Sequence, residues 1–373
     1  MNPSPLLLQL STLLTEPQKI VLAQLDWQEI IHILRECGLL GCAFYVLNRN
    51  QLLEQVPTFA FKHLHSGKAY ADRQKAQVHF ESRIINDVLT QEGIQPIFLK
   101  GAGYALRGTL NSQGRVFSDI DALVSKEELK KAQQVLFNNG WCSKQLSEYD
   151  NKYYIQWAHE LPPMHHSHRG TTIDLHHNII PLVSGRAPKF SVLKNEIQII
   201  DGYAVLSPHG MFLHSLVHLL INEDFKNGYR DMLDLYWMAT EFEQQQQDFW
   251  QNLLQLATET SFAKELYLTL ALLNMLFGKQ FGRQIQPQLA NKFDTKNNRF
   301  WIKKVYQYVL QPNHSKIGYS FKTYRHFAAY IKGHMAKMPI KILIPHLIHQ
   351  SYVSLRDTLF GKHHFDKPEN NMK

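Results

Sequence analysis

"FSDIDALV", residues 117 to 124, places two aspartates two positions apart inside an otherwise apolar run. Strands seldom carry Asp, whose short carboxylate suits turns and caps better than a half-buried pleated surface. On a strand, residues two apart share a face. Phe117, Asp119, Asp121 and Leu123 therefore point one way, and Val116, Ser118, Ile120, Ala122 and Val124 the other. Carboxylates this close repel each other, and burying either is costly unless it is paired or coordinates a cation. A divalent metal supplies that compensation. The simpler alternative is an exposed strand end where water solvates both charges.

A second stretch repeats the pattern. In "TTIDLHHNI" (171–179), alternation sets Thr172, Asp174, His176 and Asn178 opposite Ile173, Leu175, His177 and Ile179. If the two strands are neighbours, Asp119, Asp121 and Asp174 converge on one oxygen-ligand site suited to Mg²⁺ or Mn²⁺. Three carboxylates are what a two-metal phosphoryl-transfer centre needs. Upstream, "IFL" runs into Lys100, Gly101, Ala102 and Gly103 ahead of a short helix, a turn whose backbone N–H groups can cradle phosphate oxygens. His176 shares the face of Asp174 and can contact a phosphate, orient a carboxylate or make a plain structural hydrogen bond. Arg115 can meet a substrate phosphate or cap the sheet edge.

The surrounding periodicity divides the chain into three regions. Residues 1–93 read helical, including "DWQEIIHILRECGLLGCAFYVLNRN" and a long amphipathic stretch from Ala69 to Glu92. Residues 94–205 change period. Strands are expected at "IQPIFL", "RVFSDIDALV" and on both sides of Arg169-Gly170. Ser125 and Glu128 form a capping box for a helix closing at Gly140. From 206 to 373 the helical period returns, ending in the polar tail "KHHFDKPENNMK", expected to fray. The class is therefore α+β: a small mixed β-sheet core flanked by amino- and carboxy-terminal helical regions.

"IQPIFLKGAGYAL", "GRVFSDIDALVSKEELKKAQQVLFNNGW" and "IDLHHNI" together resemble the bacterial uncharacterised nucleotidyltransferases of the DNA polymerase beta-like superfamily. Their order is a Lys-Gly turn, an Arg four residues before a D-x-D strand, a helix ending in Gly, and a later I-D-L-H strand. The resemblance is close over Ile94 to Ile179 and looser in the flanking helices, where "FLHSLVHLLINEDFKNGYRDMLDLYWMA" matches a His-rich helical segment. It implies a metal-dependent transfer of a nucleoside monophosphate from a nucleoside triphosphate, ATP the expected donor, to a hydroxyl acceptor with release of pyrophosphate. It also implies roles. Asp119 and Asp121 hold both metal ions. Asp174 holds the catalytic one and helps deprotonate the attacking hydroxyl. Lys100 and Gly101 contact the triphosphate, with Arg115, Ser118 and His176 completing the nucleotide site. Replacing Asp119 or Asp121 is then expected to abolish turnover and leave thermal stability unchanged or improved. The sequence departs from the wider superfamily in having Lys-Gly where a Gly-Ser turn is usual, so the serine that touches the terminal phosphates is missing.

Other polar residues fit the fold without this chemistry. His159, His165, His166, His168, His176 and His177 lack the H-x-x-x-H spacing and cysteine partners of common zinc sites. His214 and His218 fall four apart on an apolar helix, as satisfied core histidines do. Adjacent residues on a helix do not face each other; Arg230 and Asp231 are expected to serve helix packing with a structural ion pair, with closure of Arg230 over the crevice as the alternative. No nucleophile elbow, P-loop or dinucleotide fingerprint is present.

Composition bounds the rest. With 373 residues, 44% hydrophobic and 19% charged, the chain can bury a sizeable core. Three cysteines without a CxxC pair suggest neither a disulfide framework nor a thiolate metal site, so a reducing cytoplasm is expected. The start "MNPSPLLLQLSTLLTEP" lacks a basic flank and reads as a helix rather than a signal peptide. The net charge of +8 is uneven. From Asn297 onward 13 Lys and Arg face 3 Asp and Glu, an excess of +10, leaving 27 against 29, or −2, in the remainder. Such a basic, aromatic-bearing segment is a solvated face or a peripheral contact with an anionic surface. It also motivates an alternative: a nucleotidyltransferase-fold binding protein without catalysis, using its basic helices on nucleic acid or a membrane surface.

Overall fold

The computed structural model describes residues 4–143, 148–317 and 322–360; the polar tail expected to fray lies outside them. Seven strands form one mixed sheet: β1 (Ile97–Phe98), β2 (Ile120–Leu123), β3 (Trp141–Ser143), β4 (Met164–His166), β5 (Thr172–His176), β6 (Ile197–Ile200) and β7 (Tyr203–Leu206). Their spatial order is β3-β4-β5-β2-β1-β7-β6. β2 runs parallel to β5, and β1 to β7; the remaining neighbours are antiparallel. Helices precede and follow this sheet, so the fold is α+β as the periodicity indicates.

The sheet is covered on both sides. Phe98, Ile120, Ala122, Ile173, Leu175 and Val205 pack with Val78, Ile85 and Leu89 of helix Thr58–Thr90 and with Ala132 and Leu136 of helix Leu129–Asn138. Ile97, Leu123, Ala204 and Leu206 join a larger core made by the amino-terminal helices and those after Pro208. These two helical regions, far apart in the chain, share that core. Leu10 and Leu14 are buried with Leu233 and Trp237, and the Trp237 indole donates to the Leu14 carbonyl at 3.3 Å. On β2 and β5 the face turned toward this body carries polar groups, and the crevice forms there.

Local signals account for some of the element boundaries. The Ser125–Glu128 box is present: Ser125 N–H and Oγ donate to Glu128 Oε2 at 3.3 and 2.6 Å, and Glu128 N–H donates to Ser125 Oγ at 3.3 Å. Gly140 closes the helix that follows with φ +92°, a conformation glycine adopts without strain. The hairpin around Arg169-Gly170 joins β4 to β5.

Two expectations need correction. The strand expected over 115–124 pairs only from Ile120 to Leu123, because β1 offers two residues of ladder and β5 begins at Thr172. Residues 115–119 are an irregular lead-in, so the alternation fails there. Ser118 is exposed and donates to Asp119 Oδ1 at 2.8 Å instead of pointing to the opposite face. The expected strands also omitted β3 and the β6–β7 hairpin.

Candidate active site

The crevice is built where β2 and β5 run side by side. Asp121 and Asp174 are register partners in that parallel pair, so their side chains leave the same face of adjacent strands about 4.8 Å apart. Asp119 lies two residues before Asp121 at the mouth of the strand, half-buried. The three carboxylates sense one another. Burial first, then the charges of Asp121, Asp119 and Glu160, raise the Asp174 pKa to about 7. Burial and the neighbouring Asp121 also raise that of Asp119.

Asp121 behaves differently because it is paired. Lys100 Nζ donates to its Oδ1 at 2.8 Å, and His176 Nε2 lies 2.9 Å from the same oxygen. Burial alone would raise its pKa, but the Lys100 ammonium and the His176 contact outweigh burial and hold the carboxyl well below its usual range. Burial opposes the His176 imidazolium, yet Glu160 and Asp121 overcome it and raise that pKa. The second ring nitrogen, Nδ1, sits 3.2 Å from Glu160 Oε2. His176 thus lies between two carboxylates, in contact with Asp121 through Nε2 while Nδ1 makes no hydrogen bond.

The Lys-Gly turn closes one end. Lys100 has φ +41°, a strained value for a residue with a side chain. It opens helix Lys100–Arg107. A Cβ on Gly101 would meet Phe117 Cδ1 at 3.0 Å and Arg115 Nη1 at 3.1 Å, so the small residue lets the guanidinium lie against the turn. Arg115 itself is buried. Its Nε donates to Asp234 Oδ2 at 3.0 Å, and its guanidinium lies 5.4 Å from the Tyr104 ring centre. It does not cap the sheet edge; it ties the lead-in of β2 to helix Gly228–Gln245.

Two connected hollows flank the carboxylates. One, of about 180 Å³, is lined by Lys100, Gly101, Arg115, Ser118, Asp119 and Asp121, and across from them by Asn227, Arg230, Asp231 and Asp234. The other, of about 280 Å³, is lined by His159, Glu160, Asp174, Ile179, Pro181, Val217, Ile221 and Lys337 among others. Lys100, Asp119, His218 and Asn222 border both. On the helical side, Arg230 and Asp231 form an ion pair, Nη2 to Oδ1 at 3.1 Å, and both line the first hollow. One expectation is corrected here. His218 is a crevice wall, while His214 is buried and neutral, with burial lowering its pKa to about 3.

All eight residues singled out in the sequence, Lys100, Gly101, Arg115, Ser118, Asp119, Asp121, Asp174 and His176, lie in or directly against this crevice. The sequence reading missed Glu160 and Asp234, and set His159 aside with the other histidines. Asp234 carried a signal, a carboxylate among apolar neighbours in "YRDMLDLYW". Glu160 carried none, since an isolated bridge to His176 places it.

Two of the three carboxylates keep an oxygen that no side chain in the crevice uses. Asp174 Oδ1 is buried with no hydrogen-bond partner, and Lys100 and His176 both use Oδ1 of Asp121, not Oδ2. Oxygen ligands of this kind suit hard ions. Among the described residues, the one group of three such side chains with ligand atoms all within 4.8 Å of one another is His159, Glu160 and His176; Asp119, Asp121 and Asp174 do not come that close as a set. Two of the six histidines discounted for zinc therefore come together, across the Glu160 bridge rather than along a helix.

A family model for an uncharacterised nucleotidyltransferase matches residues 23–278. The match runs from the amino-terminal helices through the sheet and into the helices beyond it. No curated protein and no solved structure matches the chain.

Proposed function

The chain belongs to this family of uncharacterised nucleotidyltransferases, and from that premise we propose that it transfers a nucleoside monophosphate from a nucleoside triphosphate to a hydroxyl acceptor. The observation that carries the reading is the register pairing of Asp121 with Asp174 beneath a strained Lys-Gly turn, with Asp174 Oδ1 left unsatisfied. Asp119, Asp121 and Asp174 would hold Mg²⁺ or Mn²⁺. Bound there, the cation would neutralise phosphate charge and polarise the phosphorus.

The chain's own groups divide the remaining work. The hollow at Lys100, Gly101, Arg115 and Arg230 takes the triphosphate of ATP or another nucleoside triphosphate, the bound cation offsetting the aspartates that share its lining. Lys100 supplies charge where the missing serine would have supplied a hydrogen bond. Arg230, on the opposite wall, faces the same phosphates once it leaves Asp231. The hollow at Glu160, Ile179 and Val217 takes the acceptor. Its hydroxyl oxygen attacks the α-phosphorus, the bond to the bridging oxygen breaks, and pyrophosphate leaves. The hydroxyl proton passes to the Asp174 carboxylate. His176 keeps Asp121 oriented while this happens. We place the reaction in the cytoplasm, on the same sequence ground of three cysteines without a CxxC pair.

The test uses α-labelled nucleoside triphosphates, the purified chain and fractionated hydroxyl compounds, with and without Mg²⁺. Label transfer with equimolar pyrophosphate, lost on chelation, is the expected result. Absence of saturable, Mg²⁺-dependent nucleotide binding would sink the proposal.

A further inference from the structure

The last described helix, Ile340–Phe360, is held to the body by one side. Leu343 and His346 are buried, and the imidazoles of His346 and His349 stack on the rings of Tyr153 and Tyr149 at 4.8 and 3.7 Å. Its other side carries Ile340, Ile344, Ile348, Tyr352 and Leu355, each between 53% and 65% exposed. Spacings of four, four, four and three residues align them in one stripe, about 22 Å long at the helical rise. A run of exposed aliphatic side chains of this length marks a contact surface.

Charge narrows what the contact can be. The segment from Asn297 onward carries the +10 excess, against −2 for the rest, so this end of the chain is the one drawn to anions. Lys303 and Lys304 are exposed on a π-helical turn, Trp301–Tyr306, and line a hollow of about 450 Å³ with Arg325, Tyr308 and Met275. Exposed Tyr324 and Phe327 lie on the same helix as Arg325. A second copy of the chain docking stripe to stripe would press two +10 segments together. Nucleic acid would use the lysines and the rings of Tyr324 and Phe327, but it leaves the isoleucine stripe uncovered, since base recognition needs stacking rings or hydrogen bonds. A membrane span is excluded for this helix, because no single described helix is long and apolar enough to cross.

We infer that helix Ile340–Phe360 lies along an anionic bilayer surface, its isoleucine stripe in the acyl boundary and the basic residues around Lys303, Lys304 and Lys341 against headgroup phosphates. Apolar insertion and electrostatic attraction are the two contributions that such a surface helix combines.

The experiment is flotation of the full chain with vesicles of phosphatidylcholine alone or mixed equally with phosphatidylglycerol. Ile344→Asp/Ile348→Asp and Lys303→Glu/Lys304→Glu are run beside it. All four positions are exposed, and unchanged melting temperatures confirm that the variants fold. The expected result is co-flotation with the anionic vesicles, weakened on the order of tenfold or more by each double substitution. The lysine double should also remove most of the salt sensitivity. Three results would overturn the inference: no co-flotation at either composition, binding indifferent to the isoleucine double, or a dimer in solution that the isoleucine double dissolves.

Discussion

On β2 and β5, Ile120, Ala122, Ile173 and Leu175 turn toward helices Thr58–Thr90 and Leu129–Asn138, while Asp121, Asp174 and His176 turn the opposite way. The apolar face is sealed, and every methyl group on it stabilises the fold by being out of water. The polar face is not uniform. Asp121 is satisfied by Lys100 and His176, whereas Asp174 keeps a buried oxygen with no partner. The difference separates two reasons for burying a carboxylate: one is part of the scaffold, the other is held at the scaffold's expense for a ligand. This revises the sequence-based expectation that Asp121 could be removed without loss of stability.

The sharpest break in that comparison is Asp174→Asn. Turnover should fall by about 10³-fold, the scale of a lost general base, while the melting temperature rises by roughly 2–5 °C as repulsion is relieved. The sign can be checked through pH. A carboxyl with a folded pKa raised to about 7 binds its proton more tightly folded than unfolded, so its presence destabilises progressively as pH rises from about 4 to 7. The advantage of the Asn variant should therefore be absent near pH 4 and complete above pH 7. Thermal melts across that range decide it. An advantage that shrinks with rising pH contradicts the unsatisfied state of Asp174.

Asp121→Asn should also abolish turnover, but its stability effect has the opposite sign. Removing the anion leaves Lys100 and His176 buried beside an amide, and breaking a buried pair in this way costs about 3–5 kcal/mol. Chemical denaturation of both Asn variants beside the parent measures the contrast. Equal stabilities for the two would mean that the faces, and not the individual partners, govern the charges.

Smaller effects come from the histidines behind the polar face. Burial lowers the His214 pKa to about 3 and pushes those of His159 and His218 well down. A depressed imidazole is neutral when folded and takes up a proton on unfolding. Stability from these groups is therefore intact above the ordinary histidine pKa of about 6.5 and lost as pH falls through it. Each contributes a slope of up to about 1.4 kcal/mol per pH unit. His214→Leu should flatten the acid side of the stability profile by close to one such slope, read by denaturation between pH 4.5 and 7.

The two pairs of strands at the centre and rim also differ in how well the sequence announced them. β2 and β5 were legible because alternation and misplaced carboxylates coincide there, and the capping box after Val124 was legible because its partners are three residues apart. The crevice residues supplied by distant segments were not. Glu160 reaches His176 through a single bridge, and Arg115 finds Asp234 across more than a hundred residues of chain, a pairing that no local period encodes. The β6–β7 hairpin is another matter, since "IQIIDGYAVL" holds an Asp-Gly pair between two apolar runs. That pair is a strong short-range hairpin signal, and it was passed over because a helical period resumes directly after it.

The hairpin supplies the smallest effect and the cleanest control. Asp201 and Gly202 have φ of +49° and +87°, the left-handed pair that a two-residue turn of this hand requires. Nothing lies within 4 Å of where a Cβ on Gly202 would project, so Gly202→Ala meets no steric clash and bears only the backbone penalty, about 1 kcal/mol. β6 is an outermost strand, six places from β3 at the far rim and three from β2. Loss of that stability should leave Mg²⁺-dependent nucleotide binding unchanged, which a titration of the variant beside the parent reads directly. If binding weakens in step with stability, the rim of the sheet helps hold the carboxylates in place, and the division between scaffold and site drawn on β2 and β5 extends across all seven strands.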